Sequence, residues 1–386
     1  MVAFAWRFAV LLLVFCKLTS GPLMAQESPR ADAVVAAALQ PYVDREELAG
    51  AVALVADVKG ILSITAVGAA DRESGRPMRG DSMFWIASQS KPMTAAAVML
   101  LVDAGKIALD DPIEKYLPEF GGLMVVSEKD EQRVVLRKPE RPITIRQVLS
   151  HTSGMPFRSA LEVPVLDRLP LADRVRSYAM TSLDFPPESK YQYSNAGINT
   201  AARIAEVVTG QSFEQFLTER LFEPLGMNET TFWPSEAQAE RIATAYRPKS
   251  GGAGLAATRI EQLQYPLTDR AVRAAMPAGG LFSTAADVSR FYRMLANGGE
   301  LEGRRVLSEA AVQQLTTRQT PQSVKESYGL GFSVSEDRFG HGGAYSTNSY
   351  YDRRQQRVLV WLVQHAGFPG RGADSQDAFR KAALGL

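Results

Sequence analysis

The 386-residue chain has one cysteine, three histidines and almost no surplus of charge, and each shortage removes a class of function. Cys16 stands inside an N-terminal apolar run, so the rest of the chain has no disulfide and no cysteine ligand to draw on. A chain of this length can be held by its core alone. His151, His341 and His365 lie far apart with no E-x-x-H spacing, which argues against a zinc site or any other metal. No G-x-S-x-G is present, which removes the nucleophile elbow of the α/β-hydrolases. With 43 basic against 42 acidic residues, the charge balance gives no reason to expect nucleic acid or an acidic surface as partner.

Hydrophobic content of 46% and charged content of 22% are those of an ordinary globular domain. The first 25 residues read as a secretory signal, with Arg7 before the apolar run Phe8 to Cys16 and an imperfect cleavage site at Leu23-Met24-Ala25, where position −3 is leucine. Nine apolar residues are too few to cross a bilayer, and Phe15 is bulky where lipoprotein processing at Cys16 needs a small residue. The expectation is a periplasmic or secreted protein with no stable membrane insertion and a single domain over 26–386.

Along the chain, 33–39 reads as a short helix ending at Pro41. Residues 51–58 and 61–67 read as a hairpin turning at Lys59-Gly60. A helix is expected over 89–104, apolar all the way round from Ala95 to Val102 and stopped at Gly105. From about 106 to 277 the pattern is helical, with 145–150, 171–180, 195–208 and 213–222 as helices and a small hairpin at 124–126 and 134–136. Residues 250–257 read as a flexible glycine-rich loop; Gly252-Ala253-Gly254 has no strand before it and is no dinucleotide fingerprint, so no cofactor is implied. Strand character returns at 328–334, 345–351 and 357–363, and 374–384 closes as an amphipathic helix. The fold class is therefore α+β: one antiparallel sheet assembled from both ends (about 30–105 plus 278–386), flanked by helices, with a mostly helical lobe (about 106–277) inserted.

Three polar constellations carry chemistry. Ser88 and Lys91 are three apart at the head of the buried helix, so a hydroxyl and an amine share one face and come within hydrogen-bond reach. Burial and the positive end of the helix dipole both disfavour the ammonium, so the lysine is expected to be a base beside a nucleophile. Tyr193-Ser194-Asn195 is the only Y-x-N; a tyrosine near a lysine ammonium has its phenolate favoured and can act as a general base. Gly340-His341-Gly342-Gly343-Ala344, between strand candidates, marks a close approach of backbone or ligand, and His341 could donate to a substrate.

In that order, S-x-x-K, Y-x-N and H-x-G, the chain resembles the serine β-lactamase and penicillin-recognising hydrolases, in the class C β-lactamase branch with its esterases and D-aminopeptidases. Leu149 to Gly154, Pro224 to Met227, Ala278 to Thr284 and Tyr328 to Phe332 also look like segments of that family. The resemblance implies a β-lactamase/transpeptidase-like fold and acyl transfer to Ser88, with Lys91 and Tyr193 sharing its proton. It further implies an oxyanion site at the N–H groups of Ser88 and Ala344, and Asn195, His341 and Gly343 around the substrate. The third motif has His341-Gly342 where the K-T-G form has a lysine and a hydroxyl, groups that in the family help to bind a β-lactam carboxylate. Lys249-Ser250-Gly251 competes as a K-x-G but sits in a loop, and Ser346-Thr347-Asn348 matches S-x-N out of order. His151 and Ser153 read as structural. The expected substrate is a small ester, amide or D-amino-acid peptide, with class C-like lactam hydrolysis as an alternative and a non-turnover penicillin-binding or sensing module as an alternative of another class.

Overall fold

The computed structural model describes residues 29–385, so the expected signal segment lies outside the described residues. Seven strands form one antiparallel sheet: β1 (Gly50–Ala56), β2 (Ile61–Asp71), β3 (Arg76–Pro77), β4 (Ser333–Val334), β5 (Arg338–Gly342), β6 (Asn348–Asp352) and β7 (Arg357–Leu362). Their spatial order is β4-β5-β6-β7-β1-β2-β3, so the two ends of the chain meet where β1 pairs with β7, Val52 opposite Leu362 and Ala56 opposite Val358.

β1 is buried along its whole length because both faces of the sheet are covered. Val52, Leu54 and Ala56 enter the large core, while Ala51, Ala53 and Val55 enter a smaller core on the opposite face. Helices α1 (Pro29–Asp44) and α7 (Asp374–Ala383) cover that second face. The large core lies under α2 (Ser90–Asp103), α3 (Leu171–Ala179), α4 (Asn195–Thr209), α5 (Ala285–Ala296) and α6 (Glu309–Thr316). The turn between β1 and β2 is fixed by the Asp57 carboxylate, which accepts from the Lys59 and Gly60 N–H groups at 2.7 and 3.0 Å.

The structure departs from the sequence reading in several places. Helix α1 runs through Pro41 to Asp44, since a proline in the last turn removes one backbone bond and the packing against β2 and α7 outweighs it. The glycine-rich loop belongs to a hairpin of Ala245–Pro248 with Leu255–Thr258. Residues 328–332 are a loop, and only Ser333–Val334 is strand, because Gly331 takes φ +76° as the chain crosses α2. A Cβ on Gly331 would lie 2.8 Å from the Lys91 carbonyl oxygen. The 345–351 strand begins only at Asn348, after a tight turn in which Gly343 N–H donates to Thr347 O at 2.7 Å. The third motif is itself strand, β5, and the sequence reading omitted α5 and α6.

Glycines of β5 distinguish packing from space. A Cβ on Gly340 would lie 2.3 Å from Ser349 O and 2.4 Å from the Tyr350 side chain, whereas one on Gly342 would come no nearer than 3.6 Å to Thr347 O. Gly340→Ala should therefore cost about 1–3 kcal/mol, and Gly342→Ala less than about 0.5 kcal/mol. Chemical denaturation of the two variants checks this, and equal losses would contradict it.

Candidate active site

Ser88 owes its position to a strained approach. Phe84 and Trp85 pair with Ser283 and Phe282, Ala87 then takes φ +48°, and a short 3-10 turn over Ala87–Gln89 runs into α2. The Ser90 hydroxyl fastens this turn, donating to Ala87 O at 2.7 Å and accepting from Leu281 N–H at 3.2 Å. Ser88 and Ala87 of the turn line the cavity, and of its three residues Ser88 alone is not buried. Among the described residues its N–H has no partner, nor has that of Ala344.

Lys91 is fully buried, and its amine touches three oxygens: Asn195 Oδ1 at 2.7 Å, Ala278 O at 2.8 Å and Ser88 Oγ at 3.2 Å. Burial holds the amine well below the usual lysine range. A neutral amine has two N–H donors and one lone pair. Asn195 Oδ1 and the Ala278 carbonyl can only accept, so they take the two donors and leave the lone pair facing the Ser88 hydroxyl.

Tyr193 departs from expectation. Its phenol is pushed up, by burial first and Tyr191 last, while its contact with Ser88 pulls the other way. The Lys91 nitrogen lies over the ring, 4.5 Å from its centroid, and is itself held toward the neutral form, so no cation stabilises a phenolate. Of the two groups, only the lysine is biased by its surroundings toward a form with a free lone pair.

His341 is buried and points at Tyr328. Its Nδ1 lies 2.6 Å from the carbonyl of Gly342, which can only accept, so Nδ1 carries the proton and Nε2 accepts from the Tyr328 hydroxyl at 2.9 Å. Burial chiefly, then Lys91, lowers its pKa to about 3. With both nitrogens engaged, the ring has no proton left to donate to a substrate, and it carries no charge at neutral pH. Gly343 is tied to the site by space: a Cβ would lie 2.5 Å from Ile86 O, so only glycine lets the end of β5 pass the chain that leads to Ser88.

A cavity of about 340 Å³ brings together Ser88, Tyr193, Asn195, Gly343 and Ala344 of the sequence-derived set. Trp85, Phe157, Leu166 and Met276 supply its apolar wall and had no motif to signal them. Lys249 lies in the turn of the 245–258 hairpin, outside the cavity lining, and Asn348 pairs with Trp361. His151, below the site, accepts from Ser194 N–H at 3.2 Å, and its ring centroid lies 4.6 Å from that of Tyr193 and 4.7 Å from that of Tyr328. Tyr328 was read only as part of a segment; its role as partner of His341 is tertiary. Among the described residues no three His, Cys, Asp or Glu side chains gather in a way that could hold a metal ion.

The family described as beta-lactamase matches residues 35–383. Protein Rv1367c of Mycobacterium tuberculosis is 32% identical over 363 residues, covering 85% of this chain and 89% of that one. Esterase EstB of Burkholderia gladioli is 38% identical over 231 residues, 56% of this chain and 54% of its own. The solved structure of EstCE1, a hydrolase with promiscuous acyltransferase activity, superposes with a TM-score of 0.78 at 24% identity, over 92% of this chain and 99% of that one, which is a likeness of fold. Matched from the first helix to the last by the family as a whole, the chain belongs to the β-lactamase family.

Proposed function

We propose that this protein is a serine hydrolase that forms an acyl-enzyme on Ser88 and acts on small, uncharged esters. The observation that carries the reading is the Lys91 amine, buried, with two acceptors on its N–H groups and its lone pair toward Ser88. As Ser88 Oγ attacks the carbonyl carbon, its proton passes to Lys91. The oxygen of the tetrahedral intermediate is met by the free N–H groups of Ser88 and Ala344. Tyr193, still protonated and in contact with Ser88, gives its proton to the departing alcohol and is reprotonated from Lys91. Water then repeats the sequence on the acyl-enzyme and frees the acid.

The choice of substrate class rests on charge. Among the described residues no charged side chain lines the cavity, and His341 is neutral where a lysine would stand in the K-T-G form. The apolar wall of Trp85, Phe157, Leu166 and Met276 suits an uncharged acyl group, and a relative bearing the name esterase accords with that. Release outside the cytoplasm after signal removal completes the proposal; no helix among the described residues is long and apolar enough to cross a membrane.

Ser88→Ala should abolish turnover and fluorophosphonate labelling, and labelling retained at another serine would refute the assignment. Lys91 and Tyr193 should behave as one unit, the double variant little worse than either single one; losses that multiply would separate them. A short p-nitrophenyl ester should be hydrolysed with a higher kcat/KM than nitrocefin. The two missing charge-assisted contacts, about 1.5–3 kcal/mol each, amount to roughly two to four orders of magnitude for a carboxylate-bearing lactam. His341→Lys with Gly342→Thr should narrow the gap. The pH profile follows from the two directions: the neutral amine is lost as pH falls through the lowered Lys91 pKa, so activity should decline on acidification with a midpoint well below the usual lysine range, and show no alkaline limb from Tyr193 below pH about 10. A rise in activity continuing through pH 10 would mean that Lys91 is not the resting base.

A further inference from the structure

Both acceptors on the Lys91 amine are set by one face of α4. Asn195, in the first turn, accepts directly through Oδ1 at 2.7 Å. Asn199, one turn later on the same face, accepts the N–H of Ala278 at 3.0 Å, and the C=O of that same residue takes the second amine proton at 2.8 Å. The position of the carbonyl that orients the base is thus fixed by an asparagine that never touches it.

Asn199 is itself held. Its Nδ2 donates to the Tyr178 hydroxyl at 3.0 Å, which donates to Glu162 Oε1 at 2.8 Å; Glu162 Oε2 accepts from Ser159 N–H at 2.9 Å, and the Arg174 guanidinium stands 3.5 Å from Oε1. Asn199, Tyr178, Glu162 and Arg174 are all buried, beside the apolar Ile198, Ala201 and Ala202 of α4. From Asn199 through Tyr178 to Glu162 each donor meets an acceptor, while Arg174 Nε makes no hydrogen bond. A buried amide costs stability unless it is satisfied, and this one is satisfied by a chain that fixes which end of it faces Ala278. The far end, 159–162, lies in the loop that leaves the cavity wall at Phe157 and rejoins it at Leu166.

We infer that Asn199 is a positioning residue for Lys91, acting through the Ala278 carbonyl, and that Tyr178 and Glu162 hold Asn199 in the orientation this requires. The inference rests on the reading of Lys91 as the base for Ser88. Misplacing a reacting group by about an ångström costs on the order of 100-fold, so Asn199→Leu, close in shape and without either polar atom, should lower kcat roughly 10- to 100-fold with KM within about twofold. Tyr178→Phe keeps the ring and removes the hydroxyl on which Asn199 rests; it should lower kcat about fivefold, the worth of one neutral hydrogen bond.

The decisive measurement places each change in a Lys91→Met background and reads residual hydrolysis of p-nitrophenyl butyrate per fluorophosphonate-titrated site. If Asn199 and Tyr178 act through Lys91, neither change lowers the residual rate further. A further loss equal to that seen with Lys91 present overturns the inference in favour of a general structural role, as does an Asn199→Leu or Tyr178→Phe protein with unchanged kcat. Tyr178→Phe keeps the test available if Asn199→Leu does not fold. A wild-type protein that neither labels nor turns over any ester would remove the hydrolase reading itself, and is told apart by that control.

Discussion

Burial of one amine constrains most of what surrounds it. A lysine nitrogen with no access to water cannot keep a charge cheaply, and it stays in the interior only as a neutral group whose hydrogens are taken by fixed acceptors. Helix α2 meets the first requirement by being buried almost continuously from Ser90 to Met99. The second is met from α4, through Asn195, and from the segment 277–281, through Ala278. That segment is tied to α2 by Thr94 on Pro277 O at 2.8 Å and by Leu281 N–H on Ser90 Oγ at 3.2 Å, and to the chain before Ser88 by Trp85 Nε1 on Gly279 O at 2.6 Å. Ser88, Lys91 and the acceptors of its amine are therefore one packed unit.

The sheet adds the remaining wall. Because β1 pairs with β7, the C-terminal strands are carried beside the N-terminal ones, and the end of β5 arrives over the Ser88 turn. Gly343 is the contact point, where any side chain would meet Ile86 O and the Thr347 hydroxyl. The loop over 328–332 crosses α2 at Gly331 and brings Tyr328 to His341, so the aromatic group of Tyr191, Tyr193, Tyr328, His151 and His341 closes the floor of the site. Every titratable member of that group is biased by burial toward its neutral form. A site built this way has polarity without fixed charge, and it suits a reaction in which the charge appears only on the oxyanion and is met by backbone N–H groups.

This also explains why burial works against the phenolate expected of Tyr193. A phenolate needs either water or a cation, and the amine nearest the ring is held by burial toward its neutral form.

Much of the site was legible along the chain because its parts are local. Ser88 and Lys91 meet through helical spacing, the apolar run after them announces burial, and burial with a helix N-terminus dictates the direction of the lysine pKa. Strand alternation at both ends and a helical middle gave the α+β sheet, and the order of three short motifs gave the family. Tertiary structure alone decided the rest, since each contact depends on a partner distant in sequence: the Ala278 carbonyl on Lys91, 187 residues away; Tyr328 on His341 across a loop of left-handed glycine; Asn199 against Tyr178 and Glu162. Hydrogen-bond direction is the physical reason. A sequence states which donors and acceptors a chain owns, but which of them remain free for a substrate is settled only when the fold has paired off the others, and at His341 it pairs both.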